Sequence, residues 1–409
     1  MTTVLIAGAS LAGLTAADTL RGAGYDGDLI VVDPSVTVPA DRPPLSKQVL
    51  AGEWGPEKAV HRSAARVPEL GLDLRLGVAA TALDSATRSV TLSDDTTVTA
   101  DGIVLAMGAA ARRLPGDQPR GVHVLRSLDD CLSLRADLEA GPSRVAVIGA
   151  GFIGAEVAAT CRGRGLEVTM IEAGPVPLGR VLPGEIGSFI TDLHRDHGVD
   201  VRLGIGVDGL ETDGPLNGAG VSTKVTGVRM ADGTVVDADV VVVGIGVVPN
   251  TGWLEGSGLT LDDGVSCDET CLAAPGIVAA GDVARWPNPR YGEVMRVEQW
   301  ENAIEQGEYA ARRLLAELGL GETPAPFAPV PWFWSDQYDR KLQMAGRPSA
   351  GDELVIPEGS IEERRFVAMF RRGDTCTAVL GVSRPRHVMQ VRMKLMESLD
   401  WDTAMSVFG

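Results

Sequence analysis

Cysteine is scarce here and poorly placed for a disulfide framework. Five cysteines stand at 131, 161, 267, 271 and 376, an odd number, and none precedes Cys131. Cys267 and Cys271 form the one close pair. Their spacing matches no usual redox motif, and no second pair or histidine cluster completes a zinc site. The thiols read as ordinary structural ones, and no metal is expected. Long apolar runs are also missing: the longest, Val240 to Val248, is about half of the ~20 residues a membrane helix needs. Positive charge is in deficit, with 37 Lys and Arg against 55 Asp and Glu and a formal net charge of −18. A nucleic-acid backbone would be repelled by such a surface. Met1-Thr2-Thr3 leads straight into strand-like residues, without a basic region or a cleavage site, so a cytoplasmic location is expected.

Glycine, by contrast, is abundant and clustered. There are 50 glycines in 409 residues, with hydrophobic residues at 44% and charged ones at 22%. These proportions describe a globular chain, and the length suggests roughly two to four domains. The clusters are what tight turns around phosphate groups require.

One pattern occurs twice, 141 residues apart. Val4-Leu5-Ile6-Ala7-Gly8-Ala9-Ser10-Leu11-Ala12-Gly13 opens the chain, and Val145-Ala146-Val147-Ile148-Gly149-Ala150-Gly151-Phe152-Ile153-Gly154 repeats it. Each copy is an apolar run, a glycine turn and an alanine-rich helical stretch (Leu14 to Leu20; Ala155 to Cys161). A second apolar run then ends in an acid, Asp33 or Glu172, 20 and 18 residues past the last glycine. This is the dinucleotide-binding fingerprint. Its first glycine makes the turn, the second admits the pyrophosphate and the third lets helix and strand approach. The helix N-terminus faces the phosphates and the acid accepts from a ribose hydroxyl. The first copy departs from the rule at Ser10, whose Cβ would crowd a pyrophosphate unless the loop opens or the hydroxyl bonds a phosphate oxygen.

Gly102 to Gly108 and Asp239 to Gly246 read as strands ending in glycine turns, placed as returns of the chain between two nucleotide domains. Ile277 to Asp282 is a third, closing on an Asp that holds cofactor hydroxyls, caps a helix, or does both. From about Gly321, Pro324, Pro326, Pro329 and Pro331 suggest a linker. A separate α+β domain follows, with strand-like alternation at Phe366, Ala368, Phe370 and at Ala378, Leu380, Val382, and a helix from His387 to Ser398. From residue 326 to 409 eleven basic residues balance eleven acidic ones, so the rest of the chain carries the whole −18.

Five markers are more selective than the glycine loops: Arg42-Pro43-Pro44-Leu45-Ser46-Lys47, Gly244-Ile245-Gly246-Val247, Gly281-Asp282-Val283, Glu298-Gln299-Trp300 and Trp332-Phe333-Trp334-Ser335-Asp336-Gln337. In this order, over essentially the whole chain, they resemble the FAD-dependent, NADH-oxidising ferredoxin reductases of bacterial oxygenase systems. The resemblance implies an α/β, glutathione-reductase-like fold: two Rossmann-type dinucleotide-binding domains and an α+β C-terminal domain. It implies a split FAD domain (1–109 and 244–324), an NAD domain (110–243) and a C-terminal domain (325–409). Tightly but non-covalently bound FAD would be held by Gly8, Ser10, Leu11, Ala12, Gly13 and Asp33. Further implied contacts are Arg42, Lys47, Ala79, Ala106, Gly108 and Arg126, then Gly281, Asp282, Val283 and Trp300. NADH would lie on Gly149, Gly151, Phe152, Ile153, Gly154, Glu156, Glu172 and Arg180, with Gly244, Ile245 and Gly246. Met107 stands where the family commonly has threonine before the turn glycine.

The resemblance also sets Lys47 at the flavin edge, paired with Glu156. Physically, an ammonium stabilises the negative charge of reduced flavin, and a carboxylate keeps that ammonium charged and oriented. The plainer alternatives are a solvated loop lysine and an exposed helix-face carboxylate. Disulfide reductases of this fold carry cysteines early in the FAD domain, and their lack here points electrons outward to a partner. The expected partner is a 2Fe-2S ferredoxin, met transiently and electrostatically, that supplies a haem monooxygenase or Rieske dioxygenase. The reductase itself is expected to be a monomer or weak dimer. Two other readings are an NADH oxidase and a redox-sensing flavoprotein of the apoptosis-inducing-factor type. Trp332 and Trp334 read either as an apolar docking rim or as core.

Overall fold

Thr3–Ala7, the run before the first glycine loop, lies inside a six-stranded sheet, between Asp28–Asp33 and Gly102–Leu105. All its pairings are parallel, and Asp73–Leu76 and Ile277–Ala279 extend the parallel set on either side. Only the edge strand Leu272–Ala274 runs antiparallel. A computed structural model describes residues 2–60, 66–179, 181–215 and 223–408. It divides into two units, one made of residues 1–41, 60–110 and 248–331, the other of 42–59, 111–247 and 332–409. In the first, five parallel strands carry Gly8, Asp33, Ala79, Ala106 and Gly281 past the same edge of one sheet, as a ligand site on an open parallel sheet requires.

Val4, Leu5, Ile6 and Ala7 are all buried, which explains why the run is continuous rather than alternating: both faces of the sheet are covered. One face carries the helices Leu11–Gly22 and Trp300–Glu317, pressed together at Gly307, where a Cβ would lie 2.6 Å from the Ala12 carbonyl oxygen. On the other, Leu83, Val90 and Leu92 of a small three-stranded sheet join Leu5 and Ile103 in one core. The proline-rich stretch has no regular structure but is tied to this unit. Phe327 is buried, its carbonyl accepts from Trp286 Nε1, and the Pro329 carbonyl accepts from Asn288.

The second unit repeats the plan. Arg144–Ile148 lies between Glu167–Glu172 and Val240–Val243 in a five-stranded, all-parallel sheet completed by Asp200–Leu203 and Val122–His123. Gly149, Glu172 and Gly244 therefore leave the same sheet edge. The same unit holds an antiparallel sheet in the order Trp332–Gln337, Arg340–Gly346, Thr375–Val382, Arg365–Arg372, Glu353–Ser360. Phe366, Ala368 and Phe370 face helix Gly184–Asp196, with Phe366 set edge-on to Phe189 at 5.1 Å. Their neighbours Val367 and Met369 are buried too, so this strand is covered on both faces. Helix Pro385–Glu397 lies on the sheet through Val388, Val391 and Leu395, where Gly381 leaves room that a Cβ would take from Val388. Among the described residues no helix is long and apolar enough to cross a membrane.

Candidate active site

The two glycine loops agree closely at their first and last glycines. Gly8 and Gly149 have φ of 109° and 97°. A Cβ on either would lie 2.4 Å from a carbonyl oxygen, that of Ala106 or of Gly244. A Cβ at Gly13 would stand 1.9 Å from the Gly8 oxygen, and one at Gly154 2.0 Å from the Gly149 oxygen. The middle position differs, because a Cβ at Gly151 meets nothing within 4 Å. By the same geometry Ser10 fits its loop without disturbing the protein, and its hydroxyl caps no helical N–H. Helices Leu11–Gly22 and Phe152–Gly163 both begin without a side-chain cap or an acidic residue in the first turn. Their leading N–H groups thus await an anion, and the residues present fit a dinucleotide pyrophosphate.

The strand-end acids do more than the pattern indicates. Asp33 accepts the Ala9 N–H through Oδ2 and the Ser35 N–H through Oδ1, each at 2.8 Å. Glu172 accepts the Ala150 N–H through Oε2 at 2.9 Å and the Gly174 N–H through Oε1 at 2.8 Å. Each carboxylate ties its glycine loop to the turn beyond its own strand. Every oxygen keeps a lone pair for a ribose hydroxyl. Arg180 lies outside the described residues.

In the first unit, Gly281 stands with φ of 76° beside Ala12, whose Cβ would be 3.1 Å from an added Cβ, and donates its N–H to Gln306 Oε1 at 3.0 Å. Asp282 and Val283 follow it, both buried, in a short 3-10 turn whose cap position is Ala280. Trp300 opens its helix and donates Nε1–H to Asp41 at 2.6 Å. Asn250 fixes the turn at Met107 and Gly108 by donating to both carbonyls, at 2.8 and 3.0 Å. Ala79 donates to Ser93 Oγ at 3.0 Å. Arg42, Lys47 and Arg126 belong to the second unit. Arg126 leads into helix Leu128–Glu139, its N–H bonded to Asp130. Ile153 and Ile245 are exposed, and the Gly246 carbonyl accepts from the Arg112 N–H at 2.9 Å.

The second unit also assembles the charged centre. The Pro-Pro segment turns tightly, with the Lys47 N–H bonded to the Pro44 carbonyl at 3.1 Å. It is held on helix Phe152–Gly163 by Thr160 Oγ1, which donates to the Ser46 carbonyl at 2.7 Å, and by Arg164, which donates to that of Leu50 at 2.8 Å. Cys131 and Arg135 hold it from the neighbouring helix, through the carbonyls of Leu45 and Val49. So clamped, Lys47 reaches Glu156: Nζ to Oε2 is 2.6 Å, with the side chains 11% and 3% exposed. Both the solvated lysine and the exposed carboxylate are thereby excluded. Ser46 Oγ donates to the same oxygen at 2.5 Å, and Ser335 Oγ to Oε1 at 2.7 Å. The family resemblance pointed to Lys47 paired with Glu156, whereas it assigned nothing to Ser46, Thr160 and Ser335, although Ser46 lies within Arg42–Lys47 and Ser335 within Trp332–Gln337. Trp332 and Trp334 sit with ring centroids 5.3 Å apart, both partly exposed.

Residues 2–307 match the family model described as pyridine nucleotide-disulphide oxidoreductase, and residues 332–405 the one described as reductase C-terminal. The chain is 37% identical over 398 residues to the 5,5'-dehydrodivanillate O-demethylase ferredoxin reductase subunit of Sphingobium, covering 96% of this chain and 93% of that one. It is 38% identical to rhodocoxin reductase of Rhodococcus erythropolis, over 95% and 88% of the two chains. Among solved structures, the reductase in a covalent putidaredoxin reductase–putidaredoxin complex matches with a TM-score of 0.89 at 34% identity, over 97% and 93%.

Proposed function

The chain belongs to the pyridine nucleotide-disulphide oxidoreductase family, and on that premise we propose that it passes electrons from NADH through FAD to a 2Fe-2S ferredoxin that supplies an oxygenase. The observation that carries this reading is the buried Lys47–Glu156 pair, set in a chain with no cysteine before Cys131. With no dithiol early in the sequence, electrons have no internal stop and must leave for an external acceptor. The relatives' names support that acceptor being a ferredoxin.

FAD, when bound, takes up a hydride's electron pair and releases it one electron at a time. The protein's part is placement and electrostatics. In this proposal residues 1–109 and 244–324 hold FAD, residues 110–243 hold NADH and residues 325–409 form the C-terminal domain. Gly8, Ser10, Leu11, Ala12 and Gly13 bind the FAD pyrophosphate through N–H groups, and Asp33 takes its ribose. Ala79, Ala106, Gly108, Gly281, Asp282, Val283 and Trp300 complete the set of FAD contacts, with Arg42 and Arg126 assigned to the same cofactor. Gly149, Gly151 and Gly154 serve NADH, with Glu172 on its ribose. Lys47 places a fixed positive charge for the flavin, and Glu156 holds that charge in position and meets the nicotinamide amide. The protein acts in the cytoplasm as a monomer or weak dimer, and its partner docks transiently. An NADH-dependent assay against a panel of purified two-iron ferredoxins tests the reading: at least one is reduced rapidly, and reduction of none would refute it.

A further inference from the structure

Glu156 receives its third hydrogen bond from far along the chain. Ser335 belongs to strand Trp332–Gln337, and Glu156 to helix Phe152–Gly163. The two elements meet in register. Phe333 packs edge-on against Phe152 with centroids 4.5 Å apart, and two residues further along the strand Ser335 meets Glu156, four residues further along the helix. Four helical residues advance ~6 Å and two strand residues ~6.6 Å, so the spacings match without strain.

The hydroxyl's direction is fixed as well. Gln337, on the same face of the strand, donates Nε2–H to Ser335 Oγ at 3.2 Å. With that lone pair occupied, the single Ser335 proton is left for Glu156 Oε1. Ser335 and Gln337 are both fully buried, so water competes for neither bond. The other carboxylate oxygen already serves Lys47 and Ser46.

We propose that Ser335, its hydroxyl ordered by Gln337, is a positioning residue that holds the Glu156 carboxylate in one plane for hydride transfer at the nucleotide site. The proposal rests on the function proposed above and deepens it. The C-terminal segment, on this view, contributes directly to the reductive half-reaction.

The test uses the full-length holoenzyme with Ser335→Ala, Ser335→Thr and Gln337→Met. A hydrogen bond to an ionised group contributes more than a neutral one, so Ser335→Ala should slow single-turnover reduction by NADH about tenfold. Ser335→Thr keeps the hydroxyl and should restore the rate. The second readout needs no turnover: the Glu156 carboxylate stretching band, taken by infrared difference against Glu156→Gln, should shift in frequency in Ser335→Ala, where a hydrogen bond is lost, and return in Ser335→Thr. If Ser335→Ala does not fold, Gln337→Met should give the same two effects, smaller in size. An unmoved band and an unchanged rate in the variant that folds would overturn the proposal, as would a threonine variant no better than alanine. The infrared result is independent of any ferredoxin, so failure of the electron-transfer reading would be seen separately.

Discussion

Lys47 and Glu156 form an ion pair of 2.6 Å in which both side chains are almost wholly withdrawn from solvent. Breaking such a pair from one side leaves a buried charge uncompensated, at a cost of about 3 kcal/mol. Glu156→Ala should therefore lower the unfolding midpoint as well as slow flavin reduction by NADH, the latter by about a hundredfold. Replacing both partners with apolar residues should cost less stability than the two single changes summed. Calorimetry and stopped-flow reduction on the same preparations check both halves.

Two positions of the first glycine loop make opposite predictions. Gly8→Ala drives a Cβ to 2.4 Å from the Ala106 carbonyl and should yield protein without FAD. Ser10→Gly should leave FAD content and affinity nearly unchanged, because the Cβ at this position meets no protein atom at the matching Gly151. Flavin absorbance after gel filtration separates the outcomes.

NADH should be preferred over NADPH, since a 2′-phosphate would meet the Glu172 carboxylate. Repulsion between unit charges at about 4 Å is ~4 kcal/mol at an effective dielectric of 20. Glu172→Gln removes the charge but also one of the two acceptors that tie Ala150 and Gly174. The ratio of kcat/KM for the two nucleotides should therefore narrow while both values fall. Equal values for the two nucleotides in the unmodified enzyme would refute this reading of Glu172.

Thiol chemistry should be irrelevant to turnover. Burial pushes the Cys131 thiol up to about 11 and those of Cys161, Cys271 and Cys376 to about 12, and Cys267 is raised well above its ordinary value too. At pH 7.5 all five stay protonated and poorly nucleophilic. Iodoacetamide should leave activity intact, and native mass spectrometry should find little adduct.

An acidic two-iron ferredoxin is expected to dock on the C-terminal segment, because the whole acidic excess of the chain lies outside residues 326–409, and a salt test checks this. Many of its basic residues are already paired locally: Lys341 with Asp336, Arg384 with Glu358, Arg364 with Asp196 and Arg372 with Asp352. The exposed Arg386 is thus a better probe than Arg384. Arg386→Glu should raise the KM for ferredoxin severalfold and weaken its salt dependence, with NADH reduction of an artificial acceptor unaffected.

Much of this was legible because the pattern was strictly local. A strand, three glycines and an acid fall within about 30 residues, and their periodicity announces them. The short strands Gly102–Leu105, Val240–Val243 and Ile277–Ala279 were readable as apolar runs ending at glycines. Ser335 was not, because nothing in a serine 179 positions away says which helix it will meet. The helix ends were blurred as well: the alanine-rich core of each helix stood out, while its first turn is written in loop residues such as Leu11 and Phe152. The backbone-tying role of Asp33 and Glu172 was hidden for a different reason. A carboxylate that accepts from a backbone N–H leaves no side-chain partner to be seen in the sequence.

The most direct measurement is anaerobic mixing of NADH, the FAD-loaded protein and each of a panel of two-iron ferredoxins, followed by oxygen consumption with the ferredoxin left out. The account predicts about two ferredoxins reduced per NADH and little oxygen uptake without ferredoxin. Oxygen uptake at the same rate with ferredoxin absent, or reduced flavin that passes electrons to no ferredoxin, would contradict it.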